Sequence, residues 1–570
     1  MGKTELRWNC PFISESAAVF TPEDFNEEEQ LISKTTELFV GNEVIPLLES
    51  IDQHQNNENV KKLFQKAGEI GLLGIEVPEE YGGLSLNKKL SGLVAEKMGA
   101  GGSFSVSFNI HVGVGTLPYV YYGTEEQKQR YLPKLASGEW IGAYALTEPH
   151  AGSDALNAKT TAVLNKEGTA WILNGEKQWI TNAQIADVYV VFAKTDKNMT
   201  AFIVERSFKG VSIGPEEKKM GIKGSSTATL ILEEVCIPTK NVLGKIGKGH
   251  HVALNILNIA RLKLAFSNIG TSKQALNLSI NYAKQRKQFD KPIISFSMIQ
   301  EKVADMAVSI YGAESAAYRT ADNLDHVFHS ANSLDERLRG LANYASECAI
   351  NKVNCSEILG RIVDEAVQIH GGYGYMQEYE VERLYRDVRI SRIFEGTNEI
   401  NRLTIAKFLM KKVQQRVTAK FETQLSKLKK RNWQYIYLSN RLLNKSLNTL
   451  THSNINIYHE QEYSRLLADM NKEIYVMESA VIRTEKALKK NGKEKDERLK
   501  EMMTNVICEE GFRRIKDMAV SVISGTISDE AERKLVLKEI HNLPVPLYSN
   551  LFTQKREIAQ KIAAYEKYTV

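Results

Sequence analysis

Val188-Tyr189-Val190-Val191-Phe192 is an unbroken run of β-branched and aromatic residues, the pattern of a strand rather than a helix. Ala170-Trp171-Ile172-Leu173-Asn174-Gly175, Ala201-Phe202-Ile203-Val204 and Ala228-Thr229-Leu230-Ile231-Leu232 lie on either side between turn residues. The first of these runs into an Asn-Gly pair, which signals a tight turn. Together they predict a central antiparallel β domain. The flanks have a different period. Within residues 27–137, Leu63-Phe64 and Ile70-Leu72-Leu73 recur at helical spacing, broken at Val77-Pro78 and Tyr81-Gly82-Gly83. Ten of the 12 prolines lie at or before Pro292 and residues 293–543 hold none, which predicts long helices there. The fold class is therefore mostly α with a central antiparallel β domain. The expected divisions are 1–140 (helical), 141–250 (β), 251–415 (helical) and 416–570 (an additional helical domain).

Composition sets wide bounds. The chain has 570 residues, 43% hydrophobic and 25% charged, enough for several cores. The net charge of +5 is uneven, with an excess of basic residues after residue 410. That basic tail reads as a solvated helical face, with an anionic partner such as a membrane surface or nucleic acid as the alternative. Five scattered cysteines (Cys10, Cys236, Cys348, Cys355, Cys508) contain no Cys-x-x-Cys, so neither a disulfide framework nor a zinc site is implied, and a reducing compartment fits. His326-x-x-His329 has metal spacing but no third ligand beside it in the sequence. His250-His251 reads as a turn before a helix, and Lys489–Lys495 as a solvated loop. No signal pattern opens the chain, and Thr21–Glu29 is too acidic for a transit peptide. Leu6 stands where a myristoylation signal after Met1-Gly2 wants Ser or Thr. A cytoplasmic protein is expected.

Five segments could carry chemistry. In Arg392-Ile393-Phe394-Glu395-Gly396-Thr397-Asn398-Glu399-Ile400 a lone carboxylate lies between apolar residues and a glycine. Such a Glu suits a base whose charge an apolar pocket keeps costly, and the glycine allows close approach of a ligand. Ala145–Asp154 supplies Thr147, Ser153 and glycine-freed backbone donors, suited to a ring edge or a phosphate, though turn chemistry alone explains it equally. In Gln178–Asn182, Trp179 beside Thr181 could lie against a planar cofactor or simply be core. Arg286-Lys287-Gln288-Phe289-Asp290 suits a pyrophosphate, or is a solvated charge run. Gln368–Tyr375 contains Gly-Gly-x-Gly without the context of a dinucleotide fold, and reads as backbone close to a ligand.

In this order the segments resemble the acyl-CoA dehydrogenase family over about residues 25–410, closest to the very-long-chain branch with its added C-terminal helical domain. Tyr131–Glu139 and Lys218–Lys223 resemble family sequence too. The resemblance implies a helical domain, a β-barrel domain and a four-helix bundle, FAD bound between subunits of a homodimer, and dehydrogenation of fatty acyl-CoA to trans-2-enoyl-CoA in β-oxidation. It makes Glu395 the base that takes the α-proton while the β-hydride passes to FAD N5. It places Thr147, Ser153, Trp179, Thr181, Arg286, Gln288, Phe289, Gln368, Gly371, Gly372, Thr397 and Glu399 at FAD, and Ser153, Asn258, Arg261 and Gly396 at substrate. Asp290 departs from the family's usual Gly, which questions that turn. Ala260 occupies the position where a few branches keep their base.

Gly115 and Pro118 align with the helix closing the acyl pocket in shorter-chain relatives. Small and helix-breaking residues there predict a deep channel and long-chain substrates, or else a mere helix kink. The segment from Leu425 to Lys445 mixes basic residues with Trp433, Tyr435 and Tyr437. It reads as a peripheral membrane contact or as helix packing against a partner subunit. An electron-transfer flavoprotein is the implied electron acceptor. Acyl-CoA oxidase, or an assembly or scaffold protein on the same fold, are the alternatives. No nucleic-acid module is recognisable, and no nucleic-acid partner is expected.

Overall fold

The computed structural model describes residues 19–54, 57–196, 198–415, 430–453, 455–457, 459–491, 495–565, 568 and 570. Met1, Gly2, Leu6, Cys10, Lys427 and Lys429, together with residues 492–494 of the lysine-rich loop, lie outside them. The chain divides into two compact units, one of residues 26–278 with 323–404, the other of residues up to 25, 279–322 and 405–570.

In the larger unit, the helix Glu27–Phe39 starts at a reciprocal cap: Glu29 N donates to Asn26 Oδ1 and Asn26 N to Glu29 Oε2, both at 2.9 Å. The helix Asn57–Glu69 buries Val60, Leu63, Phe64 and Ala67, the i, i+3, i+4, i+7 stripe of one face. Its predicted break holds. Gly82 turns left-handed (φ 82°), and a Cβ on Gly83 would stand 2.0 Å from the Val77 carbonyl.

The sheet comprises β1 (Gly142–Ala145), β2 (Thr161–Leu164), β3 (Ala170–Thr181), β4 (Val188–Thr195), β5 (Asn198–Glu205), β6 (Val211–Glu216), β7 (Thr227–Pro238) and β8 (Val242–Leu243). Its hydrogen-bonded order is β6-β7-β3-β2-β4-β5-β8, with β1 joined to β4. Pairing is antiparallel except where β1 and β2 meet β4. Val188 to Phe192 are all fully buried; a strand covered on both faces has no polar side to alternate with. Asn174-Gly175 is not the turn its sequence signals. β3 runs straight through it, with a register shift between Leu173 and Gly175. Gly175 has φ 154° and a Cβ there would lie 2.5 Å from Thr160 Oγ1, so the glycine serves a bulge pressed against a neighbour.

Long helices follow, as the missing prolines predict: Gly249–Gln285, Ser297–Ser330 and Ala345–His370, then Asn398–Gln415. In the smaller unit Arg431–His452, Gln461–Asn491 and Lys495–Thr526 pack against one another. Lys489, Lys490 and Asn491 end one of these helices and Lys495 begins the next, so those four are not loop residues. Trp433, Tyr435, Ile436 and Leu438 are buried. Trp433 Nε1 donates to Glu485 Oε1 at 2.9 Å, and the Tyr435 ring lies 5.4 Å from that of Phe512. The apolar side that suggested a membrane-interface helix is thus occupied inside its own unit, because burial against neighbouring helices removes it from water. Among the described residues no helix is long and apolar enough to cross a membrane.

Candidate active site

Glu395 and Gly396 form a turn just ahead of the helix Asn398–Gln415, with φ of 56° and 83°. A left-handed conformation costs a side-chain-bearing residue roughly 1–2 kcal/mol and persists only where the surroundings fix it. Three side chains do so. Arg261 Nε donates to the Glu395 carbonyl at 3.1 Å while its Nη1 holds Asn258 Oδ1 at 3.0 Å. Asn401 Nδ2 donates to the carbonyls of Gly396 and Thr397 at 2.7 and 3.0 Å. Lys352 Nζ donates to the Gly396 carbonyl at 2.8 Å and to Asn398 Oδ1 at 2.7 Å. Burial pushes the Glu395 carboxyl up to about 7, against the pull of Arg261 and Lys352. Burial likewise pushes the Lys352 ammonium down to about 7, with Glu395 opposing. A carboxyl so placed can accept a proton near neutral pH.

The carboxylate borders a narrow cavity of about 40 Å³. Val106, Asn109, Ile110 and Val114 line one side, Ala260, Lys263, Leu264 and Ser267 another, and Phe394 and Glu395 complete it. The second set follows the i, i+3, i+4, i+7 face of the helix Gly249–Gln285. Arg261 and Asn258 are not among the lining residues; they hold the turn. Ala260, at the alternative base position, shares the cavity with Glu395 and cannot take a proton.

One wall is ionic. Lys263 Nζ lies 2.8 Å from Glu76 Oε1 and 3.3 Å from the Val112 carbonyl. Glu76 also pairs with Lys88 and accepts from Ser91 Oγ at 2.6 Å. Burial would raise the Glu76 carboxyl, but Lys263 and Lys88 hold it down at about 2. Glu76 and Lys88 also line a wider cavity of about 570 Å³ with Tyr121, Asp325 and Phe328. Gly115 and Pro118 do not line the cavity beside Glu395. A Cβ on Gly115 would meet the Gly142 carbonyl at 2.9 Å and that of Ile110 at 3.1 Å, so its smallness serves close backbone packing. Pro118 sits in the first turn of the helix Leu117–Tyr122, where proline is tolerated.

Trp179 is 57% exposed with φ 57°, at the second register shift of β3; it is not core. Gln178 N donates to the Thr147 carbonyl at 2.9 Å, which brings half-buried Thr147 beside Trp179. Thr181 ends β3 opposite Thr227. Exposed Ser153 follows a bend anchored by Glu148, whose buried carboxylate takes Lys177 Nζ at 2.6 Å and Thr160 Oγ1 at 2.5 Å. Gln368 lies in the last turn of the helix Ala345–His370, and Cβ atoms on Gly371 or Gly372 would meet nothing within 4 Å. Thr397 Oγ1 accepts from Ile400 N at 3.3 Å, and exposed Glu399 lies in the helix's first turn. An exposed indole beside a threonine and open glycine backbone fit a flat heteroaromatic group.

Arg286, Gln288 and Phe289 belong to the smaller unit and are exposed. The pairs Lys287–Gln288 and Lys291–Pro292 form a hairpin around Phe289 and Asp290, with φ of 51° and 60°. These are the angles of a type I′ turn, which Asp tolerates where the family has Gly. Sequence reasoning missed Lys352, Asn398, Asn401, Lys263 and Glu76. The one available signal was a lysine inside apolar helical sequence at Lys352 and at Lys263.

The family models described as acyl-CoA dehydrogenase N-terminal domain, middle domain and C-terminal domain match residues 26–139, 143–235 and 247–410, and a further C-terminal domain model matches 449–541. The chain is 48% identical to a "Probable acyl-CoA dehydrogenase" of Bacillus subtilis (strain 168), over 97% of this chain and 96% of that one. A crystal structure of an acyl-CoA dehydrogenase from Bacillus anthracis, complexed with FAD, superposes with a TM-score of 0.92 at 45% identity, covering 97% and 98% of the two chains. The mouse mitochondrial very long-chain specific enzyme is 39% identical over 64% of this chain and 56% of its own length. The chain belongs to the acyl-CoA dehydrogenase family.

Proposed function

We propose that this acyl-CoA dehydrogenase oxidises long-chain fatty acyl-CoA to trans-2-enoyl-CoA, with Glu395 as the base. The observation that carries the reading is the Glu395 carboxyl itself: it borders the cavity, on a turn held by three donors, with a pKa raised to about 7. A thioester α-proton is weakly acidic, so the base must be desolvated yet ionisable at working pH. FAD is the cofactor and supplies the hydride acceptor. Trp179, Thr147, Ser153 and Thr181 would hold its ring system. Gln368, Gly371, Gly372, Thr397 and Glu399 would make further contacts, and Arg286, Gln288 and Phe289 would reach the cofactor of a neighbouring subunit in a homodimer. Ser153 and Gly396 would face the substrate.

The long-chain preference draws its support from likeness to the very long-chain enzymes, not from Gly115. A role in β-oxidation, a cytoplasmic location, an electron-transfer flavoprotein as acceptor and the domain limits at 140, 250 and 415 belong to the same proposal. Membrane contact would fall to the basic side of the tail, since its aromatic side is buried. Liposome flotation of the full-length protein against one lacking residues 421–570 tests it, and equal flotation counts against it. The main test is anaerobic bleaching of bound FAD by acyl-CoAs of graded length. Activity falling steeply beyond medium chains would refute the long-chain reading, and absent bleaching by any acyl-CoA would refute the reaction.

A further inference from the structure

Lys352 is fully buried in the middle of the helix Ala345–His370, in a setting where a lysine is costly. Among the described residues its ammonium makes no ion pair at contact distance. Its bonds go to the Gly396 carbonyl (2.8 Å) and Asn398 Oδ1 (2.7 Å), and Asn398 is fixed in turn by Ser356 Oγ at 3.1 Å. Burying an ammonium on two neutral acceptors is unfavourable unless a nearby negative charge compensates. The largest compensating charge is that of Glu395, ahead of Glu399 and Glu357, and Lys352 acts on Glu395 in turn.

We propose that Lys352 is a positioning residue for the base: from beneath the turn it holds the left-handed Glu395–Gly396 backbone, and when protonated it favours the ionised carboxylate. This inference rests on Glu395 being the base. Two features make it specific. The turn is strained, so it needs anchors at successive carbonyls; Arg261 takes that of Glu395 and Lys352 that of Gly396. Lys352 and Arg261 also come from different helices, so removing either leaves the other in place. The charged and titratable groups around Glu395 are Arg261 and Lys263 on the helix Gly249–Gln285, Lys352 and Glu357 on Ala345–His370, Tyr144 on β1 and Glu399 on Asn398–Gln415. Lys263 is already matched by Glu76, which leaves Arg261 and Lys352 as the cations acting on the base.

The test compares Lys352→Met and Lys352→Arg with wild type in the FAD-loaded protein. Two readouts are followed: the pH profile of the anaerobic bleaching rate, and the titration of the Glu395 carboxyl by difference infrared spectroscopy, identified by its loss in Glu395→Gln. A nearby opposite charge lowers a carboxyl pKa by about 1–3 units. Lys352→Met should therefore move both midpoints up by about one pH unit and slow bleaching at neutral pH by about tenfold. Lys352→Arg should restore most of the midpoint. If the Met variant does not fold, Lys352→Gln, which keeps a donor without the charge, is judged on the same midpoints. Unchanged midpoints in a folded neutral variant overturn the proposal. Normal bleaching by Glu395→Gln instead overturns the base assignment, so the two failures are distinguishable.

Discussion

Arg261 Nε donates to the backbone carbonyl of Glu395 at 3.1 Å, although the residues are 134 positions apart. The arginine expected at the substrate thus secures the carboxylate's own turn. A hydrogen bond from a charged donor contributes about 1.5–3 kcal/mol. Arg261→Met should lower the bleaching rate by about ten- to a hundredfold while FAD stays bound, and Arg261→Lys should recover little of it, because a lysine lacks the planar fork that also reaches Asn258. Stopped-flow reduction checks this; a fully active Arg261→Met would show that the turn needs no such anchor.

Glu395→Gln should retain FAD and bind acyl-CoA without bleaching the flavin. In the wild type the bleaching rate should rise with pH through about 7, the value to which burial lifts the carboxyl, since only the ionised form is a base. The same shift has a cost in stability. Between the ordinary carboxyl value and about 7 the native state keeps a proton that the unfolded chain has lost, so stability falls as pH rises across that window. The Gln variant cannot ionise and should lack this slope in urea titrations.

Lys263 gives the cavity beside Glu395 an ionic wall. Replacing it with Met leaves Glu76 paired with Lys88 and makes the wall apolar. An apolar acyl tail gains about 0.8 kcal/mol per buried methylene, so two further methylenes should raise the ratio of kcat/KM for longer over shorter acyl-CoAs by about tenfold. An unchanged chain-length profile would remove Lys263 from the acyl path.

Glu148 and Lys177 form a buried pair beneath the loop that carries Thr147 and Ser153, at 2.6 Å with Lys177 fully buried. Removing one partner of such a pair strands the other charge, at a cost of about 3–5 kcal/mol. Glu148→Ala should lower Tm markedly and weaken FAD retention. The double variant Glu148→Leu with Lys177→Met should regain most of the Tm, which differential scanning calorimetry measures.

Much of the site was legible where local pattern and local geometry coincide. A carboxylate between Ile393-Phe394 and Gly396-Thr397 announced an apolar pocket, and the unbroken apolar run at Val188 announced a strand, which the fold buries on both faces. Legibility failed where a residue answers to a neighbour far away in sequence. Asn174-Gly175 has the letters of a hairpin turn, yet Thr160 pressing on Gly175 makes it a bulge. Gly115 looked like room for an acyl chain, yet it yields that space to the backbone of Gly142. Trp433 and Tyr435 looked ready for a lipid surface, yet Glu485 and Phe512 already cover them.

By itself the sequence determined the order of helical and β segments, and it singled out Glu395 and the segments around Thr147, Trp179 and Gly371 as candidates. These follow from periodicity, from turn residues and from short motifs, all of which act over a few positions. Only the tertiary structure decided how Glu395 is held and what surrounds it. Arg261, Lys352 and Asn401 come from three helices to reach one strained turn, and Lys263 meets Glu76 across 187 positions. A buried charge is set by whatever folding brings within a few ångströms, and that proximity is not written in any local stretch of the chain.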